Sequence, residues 1–147
     1  MKARINWTAV TGAQSGMFMA KEGPEYVSVA IGTSRSYIKA NEDIVRRVVR
    51  SYAEAVYIFK TNKPAALRMI QKYLRVKEPD IQEDTYSQFR EYLENIPYVS
   101  RKGMETILAE LGETDPQAKQ AKPDDFMDMR FMNELEKEGF FKKLWGK

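Results

Sequence analysis

The sequence predicts an α/β chain that is mostly helical, an N-terminal strand–helix–strand unit over 1–33 followed by about five helices over 34–147, in one domain. Three observations carry this expectation. Apolar and polar residues alternate at the N-terminus, and after Ser34 the apolar period lengthens to about 3.6 and stays there. A length of 147 residues with 43% hydrophobic side chains is enough for one core.

From Ala3 to Val10 the residues Ala3, Ile5, Trp7 and Ala9 alternate with Arg4, Asn6 and Thr8, which reads as a strand. Thr11-Gly12 breaks the pattern, and Ala13 to Glu22 reads as a short helix stopped by Gly23-Pro24. Glu25 to Thr33 is rich in β-branched residues between turn formers and predicts a second strand. The intervening segment is long enough for a parallel crossover.

Asn41 is the expected N-cap of a helix of about five turns. Its apolar arc holds Ile44, Val45, Val48, Val49, Tyr52, Ala55, Val56 and Phe59, with Arg46, Arg47, Arg50 and Glu54 opposite. A second helix should follow Thr61-Asn62-Lys63-Pro64 and present Leu67, Ile70, Tyr73 and Leu74. Pro79-Asp80 opens a third, running to about Asn95, with Ile81, Tyr86, Phe89 and Leu93 as its stripe. Ser100 caps a fourth that turns Met104, Ile107, Leu108 and Leu111 inward and ends at Gly112. Glu113 to Lys122 is polar and reads as an exposed connector. A last helix is expected from Pro123-Asp124 through Lys137, burying Phe126, Met127 or Met129, Phe131 and Leu135. Gly139 then leads into Phe140-Phe141-Lys142-Lys143-Leu144-Trp145, a hydrophobic latch onto the core or a patch for a second chain.

With no cysteine and no histidine, the chain excludes disulfides, thiolate nucleophiles, Cys/His zinc sites and histidine bases. The expectation is a non-enzyme without cofactor or metal. Net charge is +3, from 24 basic and 21 acidic residues spread along the helices, and selects no partner by itself. Ile5 to Ala20, the longest stretch without charge, is too short and too polar to span a bilayer. Met1-Lys2-Ala3-Arg4 leads into no signal-peptide core, so the chain as it stands is expected to be cytoplasmic.

Where the first strand hands over to a helix, Thr11, Gly12, Ala13, Gln14 and Ser15 could offer backbone amides and side-chain donors to a small anion. An ordinary turn and cap is the simpler reading, and the glycine spacing is not that of a P-loop. Asp124, Asp125 and Asp128 are explained by charge at a helix N-terminus, and they lack the glycine of a calcium loop. Arg46, Arg47 and Arg50 read as a solvated face and not as a nucleic-acid surface. The methionines Met17, Met19, Met127, Met129 and Met132 read as core filler.

Three segments resemble one family. Ile5 to Glu22 (INWTAVTGAQSGMFMAKE) is similar to the first strand, ligand-side loop and first helix of the solute-binding proteins of ABC importers for nitrate, sulfonate, taurine and thiamine precursors. Val29 to Leu74 resembles their return segment and long helix, through Thr33-Ser34-Arg35-Ser36-Tyr37-Ile38-Lys39, Arg46-Arg47, Ala53-Glu54-Ala55, Phe59-Lys60-Thr61-Asn62-Lys63 and Ala66-Leu67. Phe126-Met127 and Asn133-Glu134-Leu135-Glu136-Lys137-Glu138-Gly139-Phe140 resemble their C-terminal helix. The resemblance implies one lobe of a type II periplasmic-binding-protein fold, because Lys21-Glu22-Gly23-Pro24 passes directly to the return strand and a second lobe is skipped. It implies a periplasmic location, an ABC permease as partner, and one remaining wall of a cleft for a small anionic or organic solute. That wall would be Thr11, Gly12, Ala13, Gln14 and Ser15 with Thr33 and Ser34. Two short strands leave open edges, so a strand-mediated homodimer is expected, with a structural or protein-interaction module as the alternative function.

Overall fold

The structure, a computed structural model, describes residues 25–27 and 29–146. The predicted strand Ala3 to Val10 and the short helix Ala13 to Glu22 lie outside the described residues. Among the described residues every regular element is helical, so the α/β expectation is corrected there to an all-helical one. The second predicted strand is part of that correction: 25–27 and 29–33 are non-helical chain without strand pairing, and Val29 and Ile31 are each 48% exposed. β-Branched content favours a strand only where a neighbouring strand takes up its amides and carbonyls.

The described residues divide into two compact units. The larger comprises 29–99 and 127–146. In it α1 (Arg35–Ala40) leads to α2 (Glu42–Thr61), the predicted long helix. Asn41 stands at the junction, but its side chain donates to Tyr37 O of α1 (3.2 Å) instead of capping α2, whose first turn is favoured by Glu42 and Asp43. α3 (Lys63–Met69) begins as predicted, with Asn62 Oδ1 accepting from Ala65 N at 3.1 Å and Pro64 in the first turn.

From Ile70 to Leu74 the helix winds as a π-turn and stops at Arg75, a non-glycine residue in the left-handed region with φ 58°. The i→i+5 winding shifts the phase of the stripe. Ile70 stays buried while Tyr73 and Leu74, expected inside, are 70% and 55% exposed.

α4 (Pro79–Tyr92) returns along α3, with Tyr86 buried but Ile81 and Phe89 exposed. Ala66, Ile70 and Tyr86 form one core cluster, with Phe59, Leu67 and Val76 packed against it. The second cluster joins α2 to α7 (Arg130–Lys137) and α8 (Phe140–Trp145) through Ala53, Met132, Leu135, Phe140 and Phe141. Gly139 between them has φ +70°, a conformation that suits glycine, and turns the chain so that α8 folds back as the predicted latch. The last helix is shorter than expected, because residues 126–129 are not helical and Phe126 is 61% exposed.

The smaller unit comprises 25–27 and 100–126. Ser100 caps α5 (Arg101–Thr114) as predicted, its Oγ accepting from Gly103 N at 3.0 Å. α5 runs past Gly112, which is buried inside it. A Cβ there would lie 3.0 Å from Lys119 Cγ, so the missing side chain makes room for α6 (Pro116–Gln120). The expected connector Glu113 to Lys122 therefore holds a helix, started by Asp115 Oδ1 accepting from Gln117 N (2.8 Å). A 3₁₀ turn (Pro123–Asp125) follows. Residues 25–27 lie on α5: the Tyr26 hydroxyl donates to Glu110, Ser100 Oγ donates to Glu25, and Gly103 lets the Tyr26 backbone approach.

Candidate functional site

Of the residues that the sequence nominated for a ligand, Thr11, Gly12, Ala13, Gln14 and Ser15 lie outside the described residues. Thr33 and Ser34 are described and exposed. Ser34 caps α1: its Oγ accepts from Tyr37 N at 3.1 Å and lies 3.0 Å from Ser36 Oγ. The hydroxyl is already used by the backbone, so Ser34 acts locally as a helix cap.

The basic residues of α2 stay at the surface, Arg47 fully so, but two of them also make tertiary contacts. Arg46 Nε donates to Glu134 Oε2 at 3.0 Å and its guanidinium lies 5.6 Å from the Phe131 ring centre. Arg50 pairs with Glu138 at 3.6 Å and lies 4.6 Å from the centre of the Phe140 ring. These side chains clamp α7 and α8 onto α2, with the charges at the rim and the aliphatic stems over the aromatic rings. Only tertiary packing reveals this, since the partners are more than eighty positions away. Arg130 closes the same edge by reaching Glu42 (3.2 Å) and Asp128 (2.8 Å).

The acidic residues are similarly committed. Asp124 accepts from Arg101 at 2.5 and 3.2 Å, and Asp125 accepts from Lys122 N at 2.9 Å. The hydrogen bond from Arg101 holds Asp124 below the usual carboxylate range, and Arg130 does the same for Asp128. Carboxylates held ionised by guanidinium partners are poor general acids. Among the described residues no group of acidic side chains could hold a metal ion. No helix among them is long and apolar enough to cross a membrane.

Two concavities were not foreseen. In the larger unit Lys60, Tyr86, Ser87, Arg90 and Glu91 line a cleft of about 500 Å³. Lys60 Nζ donates to Leu93 O at 2.5 Å and Arg90 Nε donates to Lys60 O at 3.2 Å, so both cations already fasten α4 to the end of α2. In the smaller unit Leu108, Ala109, Gly112, Ala118 and Pro123 form an apolar groove of about 330 Å³ edged by Glu105 and Lys119. Both depend on helix pairings that no local motif encodes.

A second apolar face on α2 is the more unusual feature. Val49, Ala53 and Val56 look toward the core, yet Ile44, Val48 and Ile58 on the opposite side are 40%, 45% and 44% exposed and belong to neither core cluster. Periodicity placed Ile44 and Val48 in the core arc because it registers an apolar position without saying which neighbour covers it.

The chain has no match among protein-family models, curated proteins or solved structures.

Proposed function

We propose that the chain is a non-catalytic, internally shortened relative of the solute-binding proteins of ABC importers, keeping at most a residual site for a small anionic or organic solute. The reading rests on the order and co-occurrence of the segments that carry the resemblance, Ile5 to Glu22, Val29 to Leu74, and Phe126-Met127 with Asn133 to Phe140. By the resemblance, Thr11 to Ser15 would carry what remains of the ligand wall. A half-open wall buries little of a ligand, so weak binding is expected. Thermal unfolding with nitrate, taurine, other sulfonates, carboxylates and pyrimidines at about 10 mM tests it, because a ligand of the folded state raises its stability with concentration. A dose-dependent rise lost in Gln14→Ala supports the site, and no rise with any of them rejects it.

A second reading, a protein-interaction module, is favoured by the outer apolar face of α2. Half-exposed aliphatic residues repeated along one helix are a common sign of a docking surface.

A further inference from the structure

The outer face of α2 is close to self-complementary. Ile44, Val48, Ser51, Ala55 and Ile58 follow one another at spacings of four, three, four and three residues, the spacing of a coiled-coil seam, and all five are exposed. At 1.5 Å per residue this stripe is about 21 Å long. Its order is nearly the same read from either end: Ile44 and Ile58, Val48 and Ala55, and the flanking Arg47 and Glu54 each straddle Ser51 to within half a residue. Ser51 sits where two such helices would come closest, Ala55 of each copy opposes Val48 of the other, and the isoleucines lie at the ends.

We infer that α2 pairs with α2 of a second copy of this chain, antiparallel, about a two-fold axis near Ser51. This rests on the interaction-module reading and replaces the strand-mediated dimer expected from the sequence with a helix-mediated one. Charge fixes the orientation. Arg47 and Glu54 lie on the same edge of the stripe, and in an antiparallel pair that edge meets its own symmetry mate, so Arg47 of each copy faces Glu54 of the other. A parallel pair would set that edge against Tyr52 and Phe59, which carry no charge. Arg47 keeps most of its donors for this, its Nε contacting only the Asp43 carbonyl at 3.3 Å, and Glu54 is held in place by Arg50 at 3.7 Å. A contact this narrow belongs to the small, reversible class of interface.

Light scattering and sedimentation on the full chain, from about 1 to about 200 µM, test the inference. The expected result is a mass that climbs from monomer toward twice the monomer, with association weakened roughly tenfold or more in Val48→Glu and in Arg47→Glu. The double variant Arg47→Glu with Glu54→Arg regains association, which a merely structural role would not produce. Because the chain has no cysteine, Ser51→Cys should give a disulfide-linked dimer on mild oxidation, and it serves if Val48→Glu fails to fold. A dimer that survives Val48→Glu, with Ser51→Cys left uncrosslinked, overturns this interface while leaving an interaction module standing. A monomer at every concentration overturns the self-pairing.

Discussion

Arg46 and Glu134 meet at 3.0 Å across α2 and α7, and the same guanidinium covers the Phe131 ring. The hydrogen bond to Glu134 raises the Arg46 pKa above its ordinary value. Arg46→Met should therefore lower the denaturant midpoint less than Arg46→Glu, since the methionine keeps the apolar stem over Phe131 while the glutamate faces Glu134 with a like charge. Combining Arg46→Glu with Glu134→Arg should recover part of the loss. Equal losses for the methionine and glutamate variants would show that charge plays no part.

Phe141 and Phe126 offer a matched comparison. Phe141 is 4% exposed in the α2–α7–α8 cluster, and Phe126 is 61% exposed. Phe141→Ala should cost about 3–5 kcal/mol in urea unfolding, whereas Phe126→Ala should stay within about 0.5 kcal/mol of the parent. A small effect at Phe141 would mean that α8 is not part of the core.

Gly103 is a test of local docking. A Cβ at this position would come within 2.8 Å of both Tyr26 C and Val27 N, which are backbone atoms that cannot move independently. Gly103→Ala should displace residues 25–27 from α5 and leave α5 helical, because alanine is the better helix former by about 1 kcal/mol. Hydrogen exchange should accelerate at Tyr26 and Val27 and not along 104–111. Unchanged exchange at those two amides would contradict the close approach.

Tyr98 gives the pH dependence. Its hydroxyl donates to Glu136 Oε2 at 2.7 Å, and partial burial, that hydrogen bond and the carboxylate charge push its pKa up to about 12 from 10.0. The folded state thus holds the proton more tightly than the unfolded chain. The stabilisation is fully present below pH 10, is lost as the pH rises toward 12, and should be absent from Tyr98→Phe. Urea midpoints of the two proteins should converge over that interval, and parallel curves would count against the contact.

Much of the helical body was legible in the sequence because local rules act there. Asn62 before Lys63-Pro64, Ser100 before α5 and Gly139 before α8 are caps and turns whose chemistry needs no distant partner. The misreadings have a common cause in tertiary context. A π-turn moved Tyr73 and Leu74 outward, the groove beside Gly112 turned a polar connector into α6, and Glu25 to Thr33 had the composition of a strand but no neighbouring strand among the described residues. The site is less legible than the fold. Ser34 spends its hydroxyl on a cap, and the clefts at Lys60 and at Gly112 are made by pairs of helices that sequence periodicity cannot bring together.

The clamp between α2 and the C-terminal helices also sets a schedule for synthesis. Glu134 is made 88 residues after Arg46, which at about 5–20 residues per second is roughly 4–18 seconds of translation. During that interval the part of α2 around Val49 and Ala53 has no cover, since Met132, Leu135, Phe140 and Phe141 are still to come. A nascent chain in this state shows water the aliphatic side chains that its last helices later cover.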